Sequence, residues 1–458
     1  MPTQSNNLSI PQLRSAIRGQ VIAPTDAAYD EARAVFFTGI DRRPAVIVRV
    51  ADATDVARVV TLARETGLEL AVRSGGHSTP GFGVTDGGIV LDLSDMKGLD
   101  INVAARTAWA ETGLTTAEYT AAVGAHGLAT GFGDTGSVGV GGVTLGGGVG
   151  YLVRKHGMTI DNLLAADVVT ADGKLVRTDA EQHPDLFWAI RGGGGNFGVA
   201  TRFQFRLHDV GSVVGGILAL PATPETVTAF LAEAQAAPEE LTTIATVMKA
   251  PPMPFIPAEY HGQIVLMAPL AYAGPTDEGE RAIAPLRAIA APVVDMVRPM
   301  RYPELFAGPE PPKPVAQVAR SLYLDIVDRD TAQTIIEHLE AATAPVAVAQ
   351  VRGLGGAMAR VGNEATAFGH RQRRFMVTLV AAFDRQEETD THEAWVSNFA
   401  KALDDGEPGA FVSFLTDEGE ARVREAYSEP NWERLRQVKK RYDPANLFRL
   451  NQNIPPAE

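Results

Sequence analysis

Residues 131–150 read GFGDTGSVGVGGVTLGGGVG, ten glycines in twenty positions. A segment like this loses the most backbone entropy on ordering and offers few side chains to pack. Its composition is therefore expected to exclude both a stable helix and a plain strand. What it permits is close backbone approach: tight turns, or successive N–H groups gathered around an anion. A second cluster, RGGGGNFG, lies at 191–198. The rest of the 458-residue chain is ordinary for a folded protein, with 45% hydrophobic and 21% charged residues. At roughly 100–200 residues per domain, two or three domains are expected.

Charge and cysteine content narrow the chemistry. Lys plus Arg total 41 and Asp plus Glu 55, giving a net charge of 41 − 55 = −14. That balance argues against nucleic-acid or anionic-membrane partners, which it repels at long range. The chain has no cysteine, so disulfides, thiolate metal sites and Cys nucleophiles are excluded. No run of about 18 apolar residues is present, so no membrane span is expected. The N-terminus lacks the apolar core of a signal peptide, and the expected location is cytoplasmic. Nine histidines are scattered without an H-E-x-x-H pair, so no metal site is expected.

Hydrophobic patterning suggests two textures. Strands are expected at 45–50 and 68–72, joined by a helix that Thr54 caps and Gly67 stops, and such a β-α-β unit makes its strands parallel. The second strand runs into RSGGHS at 73–78, and loops at the carboxyl ends of such strands are where open α/β sheets bind ligands. Further strands are expected at 88–93 and 107–111, a helix at 116–126, and a hairpin pairing 167–170 with 175–178. A short helix at 184–191 precedes the second glycine cluster, with a strand at 199–207. Beyond about 212, strands at 216–220, 241–248, 263–271, 315–325, 346–351 and 375–382 alternate with helices at 224–236, 277–289, 332–342 and 391–404. That alternation suits a largely antiparallel sheet. A surface loop is expected at 309–314 and a final helix at 418–442. The basic residues 371–374 read as a solvated approach to a strand.

Two segments, 131–136 and 193–198, match G-x-G-x-x-G. The first is followed by more glycine and the second is preceded by a helix, the reverse of the order a Rossmann site needs. The glycines are then read either as turns of a compact fold or as backbone brought close to a flat, phosphorylated ligand. His77, flanked by glycine, is a candidate covalent attachment point. No G-x-S-x-G elbow is present.

Taken together, RSGGH at 73–77 with Gly81, the segment 136–150, RKHG at 154–157, DN at 161–162, DLFW at 185–188, RGGGGNFG at 191–198 and YDPANLFR at 442–449 with NQN at 451–453 resemble the FAD-linked oxidases. These are the PCMH-type or vanillyl-alcohol-oxidase flavoproteins, and the closing segment resembles the berberine-bridge-enzyme-like members, in particular a bacterial, mono-covalent subgroup. The resemblance implies an α+β fold: a two-lobed PCMH-type FAD-binding domain plus an α/β substrate domain with a large antiparallel sheet. It implies an FAD domain over 1–211, a substrate domain over 212–420, and a C-terminal segment, 421–458, returning to the first. It implies an 8α-histidyl bond from His77 to FAD. It also implies that Arg73, Ser74, Gly75, Gly76, Ser78, Gly81, Thr135, Gly136, Val138, Gly139, Gly142, Gly150 and Val199 hold the dinucleotide, with Asn451 and Asn453 closing the site.

Departures from the family pattern matter as much. Many relatives carry a second flavin bond from a Cys, where this chain has Thr135, so attachment can only be mono-covalent. The family's oxygen-gating position corresponds to Val138, a small residue that goes with oxidase behaviour. Positions that usually handle protons are Val149, Thr378 and Phe411 here. Alcohol oxidation needs a positioned base, whereas a neutral amine carries its own lone pair, so C–N oxidation rivals alcohol oxidation. Tyr151, Tyr323 and His370, with Thr378, are the remaining candidates for proton handling. The expected function is an oxidase that takes hydride from a C–H next to an alcohol or amine of a small molecule, with O2 as the second substrate. Alternatives are a flavoprotein that only binds ligand, and a dehydrogenase using another acceptor.

Overall fold

The computed structural model describes residues 8–307 and 313–458, so most of the expected 309–314 loop lies outside the described residues. Three sheets carry the architecture. The first orders Gln20–Ile22, Val46–Arg49, Ile89–Asp92 and Leu70–Arg73. The strands either side of helix Ala53–Thr66 are parallel as expected, but each pairs with Ile89–Asp92 inserted between them. The helix cap is Asp52, not Thr54. Its carboxylate accepts from the backbone N–H of Thr54 (2.8 Å) and Asp55 (3.0 Å), and a negative group there also suits the helix dipole. Gly67, at φ +69°, ends the helix.

The second sheet orders Leu99–Asn102, Thr107–Glu111, Val199–Arg206, Leu163–Val169 and Leu175–Asp179, all antiparallel. The expected hairpin is its last pair. The third has eight antiparallel strands. Its main path runs Val294–Asp295, Ser212–Pro221, Ile264–Tyr272, Leu241–Lys249, Val346–Gly353, Phe375–Phe383, Ala316–Leu324, with Arg298–Arg301 also pairing on Ser212–Pro221. Helices Pro224–Ala236, Thr276–Arg287, Arg329–Glu340 and Thr389–Leu403 pack on one face. Phe230, Ile335, Leu339 and Phe399 meet Leu218, Ala245, Leu266, Val377 and Leu379 there. Since side chains alternate along a strand, Met376, Thr378 and Val380 point away from those helices. That second face looks toward the glycine-rich loops. The fold is thus a mixed α/β one with a large antiparallel sheet.

Four local expectations are corrected. The glycine-rich stretch does contain a helix, Val140–Gly146. Tertiary confinement overrides its poor propensity: a Cβ at Gly139 would lie 2.1 Å from Ser74 Oγ, and one at Gly141 3.1 Å. The final helix is two, Glu420–Glu425 and Glu429–Tyr442, because Pro430 can only sit in a first turn. Arg371 is not solvated but fully buried, with both terminal nitrogens on the Asp161 carboxylate at 2.7 and 2.8 Å. The strands at 294–295 and 298–301 were not expected, being too short and too polar to show alternation. Among the described residues no helix is long and apolar enough to cross a membrane.

Candidate active site

A cavity of about 610 Å³ lies where the two glycine clusters, the 73–80 loop and the C-terminal return converge beneath the large sheet. The loop leaves the strand Leu70–Arg73 at its carboxyl end, as the parallel arrangement predicts. Gly75 and Gly139 are glycines because the loop and the glycine-rich segment close on each other: a Cβ at Gly75 would lie 2.3 Å from Gly139 N. Gly133 and Gly142 differ. Neither has a positive φ, and a Cβ at either would meet nothing within 4 Å. Both line the cavity, so their missing side chains leave open space and bare backbone.

Of the residues expected to hold a dinucleotide, Arg73, Ser74, Gly75, Gly76, His77, Ser78, Thr135, Val138, Gly139, Gly142, Val199 and Asn451 line this cavity. Arg73 is buried and spent on structure, donating to Asp92 (2.9 Å) and to the Ala32 carbonyl (2.6 Å). Ser74 Oγ donates to the Thr112 carbonyl at 2.5 Å. The His77 ring stacks on Phe36, centroids 4.1 Å apart. Gly81, Gly136 and Gly150 stand outside the lining. Gly81 (φ +74°) turns the chain against Ile40, and a Cβ on Gly150 would lie 2.0 Å from the Phe132 carbonyl. Asn453 is not in the lining either, but its Oδ1, like those of Asn451 and the hydroxyl of Ser137, is buried without a hydrogen-bond partner.

These features fit a flat dinucleotide. Burying an unpaired polar atom costs about 1–3 kcal/mol, and two residues with such atoms, Ser137 and Asn451, line the cavity together with Gly133 and Gly142. FAD would meet the backbone of 75–78 and 133–142, the amides of Asn451 and Asn453, and the ring of His77. Among the described residues no cluster of His, Asp or Glu could hold a metal ion.

None of the four proton-handling candidates lines the cavity. Tyr151 is buried with an edge contact to Phe306 (5.8 Å), and burial pushes its hydroxyl pKa well up. Tyr323 is buried and unpaired at its hydroxyl, whose pKa burial likewise raises. His370 stacks on Tyr323, donates to the Glu425 carbonyl at 3.0 Å, and has its pKa lowered by burial. Thr378 lies on the sheet face away from the packed helices, opposite Ser321 and Gln350 in register, with its hydroxyl unpaired.

Sequence reasoning missed several lining residues: Phe36, Asp134, Gln317, Phe414, Phe448 and Gln452. Gln317 and Phe414 come from segments whose strand or turn pattern says nothing of what they face. Asp134 carried a signal that could have been read, as the single acid within the glycine-rich stretch.

Comparisons with known proteins agree with this geometry. Residues 44–179 match the FAD binding domain family model and residues 410–455 the model for berberine and berberine-like proteins. The chain is 30% identical over 456 residues to (R)-6-hydroxynicotine oxidase of Paenarthrobacter nicotinovorans, covering 96% of this chain and 97% of that one. It is 29% identical to an uncharacterized FAD-linked oxidoreductase of Bacillus subtilis, over 96% of this chain and 99% of the other. The crystal structure of 6-hydroxy-D-nicotine oxidase from Arthrobacter nicotinovorans superposes with a TM-score of 0.86 at 27% identity, over 96% and 98% of the two chains. With its glycine-lined cavity, its C-terminal return and these matches along its whole length, the chain belongs to the FAD-linked oxidoreductases of the berberine-bridge-enzyme-like family.

Proposed function

We propose that this chain is an oxidase carrying FAD attached through His77 alone, acting on a C–H next to the nitrogen or oxygen of a small organic molecule. FAD bound there would supply a two-electron acceptor for hydride from that carbon, with oxygen as the final acceptor and hydrogen peroxide as its product. The protein's own part is placement. The cavity lined by His77, the open glycines and Asn451, whose buried Oδ1 has no hydrogen-bond partner, is the observation that carries the reading. A backbone without side chains lets a ring lie close, and a buried acceptor without a partner can gain one from a polar ligand. Val138, short and in the lining, leaves oxygen room to approach. The apolar walls of Val149, Phe411 and Phe414 exclude bulk water and favour a compact, weakly polar substrate. Oxidases of small molecules among the relatives support this reading.

The test begins with colour. Acid precipitation should leave yellow in the pellet of the wild type and in the supernatant of His77→Ala. Peroxide should then form in air with a turned-over amine or alcohol. Yellow in the wild-type supernatant removes the covalent role of His77. Reduction by substrate without reoxidation in air replaces oxidase by dehydrogenase.

A further inference from the structure

The cavity lining contains three side chains able to carry charge: Arg73, His77 and Asp134. Arg73 is committed to Asp92, and His77 is the proposed attachment point. Among the described residues Asp134 is the only carboxylate in the lining. It follows Gly133, beyond which there is open space, and precedes Thr135 on the cavity wall. Its side chain is 24% exposed while its partner Arg352 is 5% exposed.

The carboxylate is held from the large sheet. Arg352 donates from Nη2 to Asp134 Oδ2 at 2.7 Å and to Gln350 Oε1 at 2.6 Å. Gln350 lies between Thr246 and Thr378 in the strand register. Arg352 also sits 5.6 Å from the Phe414 ring, a cavity wall. One Asp134 oxygen is thereby fixed. The other, Oδ1, is approached only by the neighbouring Thr135 hydroxyl at 3.3 Å. Asp134 thus presents a negative group with one oxygen to spare to a cavity whose lining also includes Val138, Val149, Phe411 and Phe414. In surroundings of low polarity, such a group attracts a cation more strongly than it would in water.

We propose that Asp134 recognises the ammonium group of the substrate, so that this site takes small amines in preference to alcohols. The inference rests on the flavoprotein reading above. An alkylammonium carries a full positive charge and N–H donors, whereas an alcohol at neutral pH carries no charge. The spare oxygen of Asp134 therefore offers the amine a charge-assisted hydrogen bond and the alcohol only a weaker one.

The flavin spectrum tests this without turnover. The holoprotein is titrated anaerobically at neutral pH with benzylamine, cyclohexylmethylamine and butylamine, each against its matching alcohol. At least one amine should perturb the visible spectrum with a dissociation constant about tenfold or more below that of its alcohol, the worth of one charge-assisted hydrogen bond. Asp134→Asn should close that gap at unchanged flavin content, and Asp134→Ala serves as the second neutral variant should Asn impair folding. A wild type that holds no amine more tightly than its alcohol overturns the inference and leaves the flavoprotein reading standing. A gap that persists in the neutral variants removes Asp134 from the role. A wild type that stays colourless when supplied with FAD overturns both.

Discussion

Replacing Lys439 with Met should be among the most damaging single changes outside the cavity. Lys439 lies on helix Glu429–Tyr442, and both it and Asp443 are fully buried. Its Nζ donates to Asp443 Oδ2 (2.7 Å) and to the carbonyls of Asn196 (2.8 Å) and Phe448 (2.9 Å). Asp443 in turn accepts from the backbone N–H of Leu447 and Phe448, both at 2.8 Å. One ammonium thus ties the last helix, the second glycine cluster and the C-terminal return, whose Phe448, Asn451 and Gln452 line the cavity. Lys439→Met leaves a buried carboxylate without its counter-charge, which costs about 3–5 kcal/mol. Domains are stable by about 5–15 kcal/mol, so a large fraction of the total is lost. Asp443→Asn keeps acceptors for the two backbone groups and removes the charge. Combined with Lys439→Met it should recover part of the loss, with a coupling of about 1–3 kcal/mol. Urea unfolding of the four proteins measures the cycle. Single changes costing under about 1 kcal/mol, or costs that simply add, would refute the reasoning.

Gly142→Val should leave the fold intact, since its Cβ meets nothing within 4 Å, yet lower flavin content, read from the ratio of visible to ultraviolet absorbance. Gly150→Ala, whose Cβ would lie 2.0 Å from the Phe132 carbonyl, should instead fail to give folded protein. His156 and His208 stack at 3.9 Å and burial lowers them from 6.5 to about 3 and about 4. The native pair stays neutral where the unfolded chain takes up protons, so stability should fall as pH drops from 6.5 toward 4, by about 1–2 kcal/mol after discounting for partial exposure. Urea midpoints at pH 7 and 5 should differ less in His208→Gln, and an unchanged difference would count against the pair. Val138→Ile should slow reoxidation of reduced protein by oxygen more than it slows reduction, in stopped-flow traces.

The patterning of the chain reached far into the fold because most elements are long and periodic. The strands and helices beyond residue 212 show it: the helix 224–236 matches Pro224–Ala236, and the strand 375–382 matches Phe375–Phe383. Local reading failed where long-range contacts decide. The helix Val140–Gly146 exists because Ser74 and its neighbours confine it, a constraint supplied from more than sixty residues upstream. Arg371 looks like a surface cation beside Arg373 and Arg374, yet Asp161, 210 positions away, holds it in the interior.

The sequence by itself determined the class of chemistry. The absence of cysteine excludes a cysteinyl flavin bond, the motif order from 73 to 198 and 442 to 453 carries the family resemblance, and glycine composition marks where backbone must come close. Which side chains share the cavity was decided only by tertiary structure. Strand alternation tells which residues share a face but not what that face meets. So Tyr151, Tyr323, His370 and Thr378 were reasonable from sequence and stand outside the lining, while Asp134 lies within it, fixed by Arg352 at a separation of 218 residues. A carboxylate's role depends on what lies within a few ångströms of it, because its interactions fall off with distance and are screened by water. That neighbourhood is assembled by sheets packing on loops from distant parts of the chain.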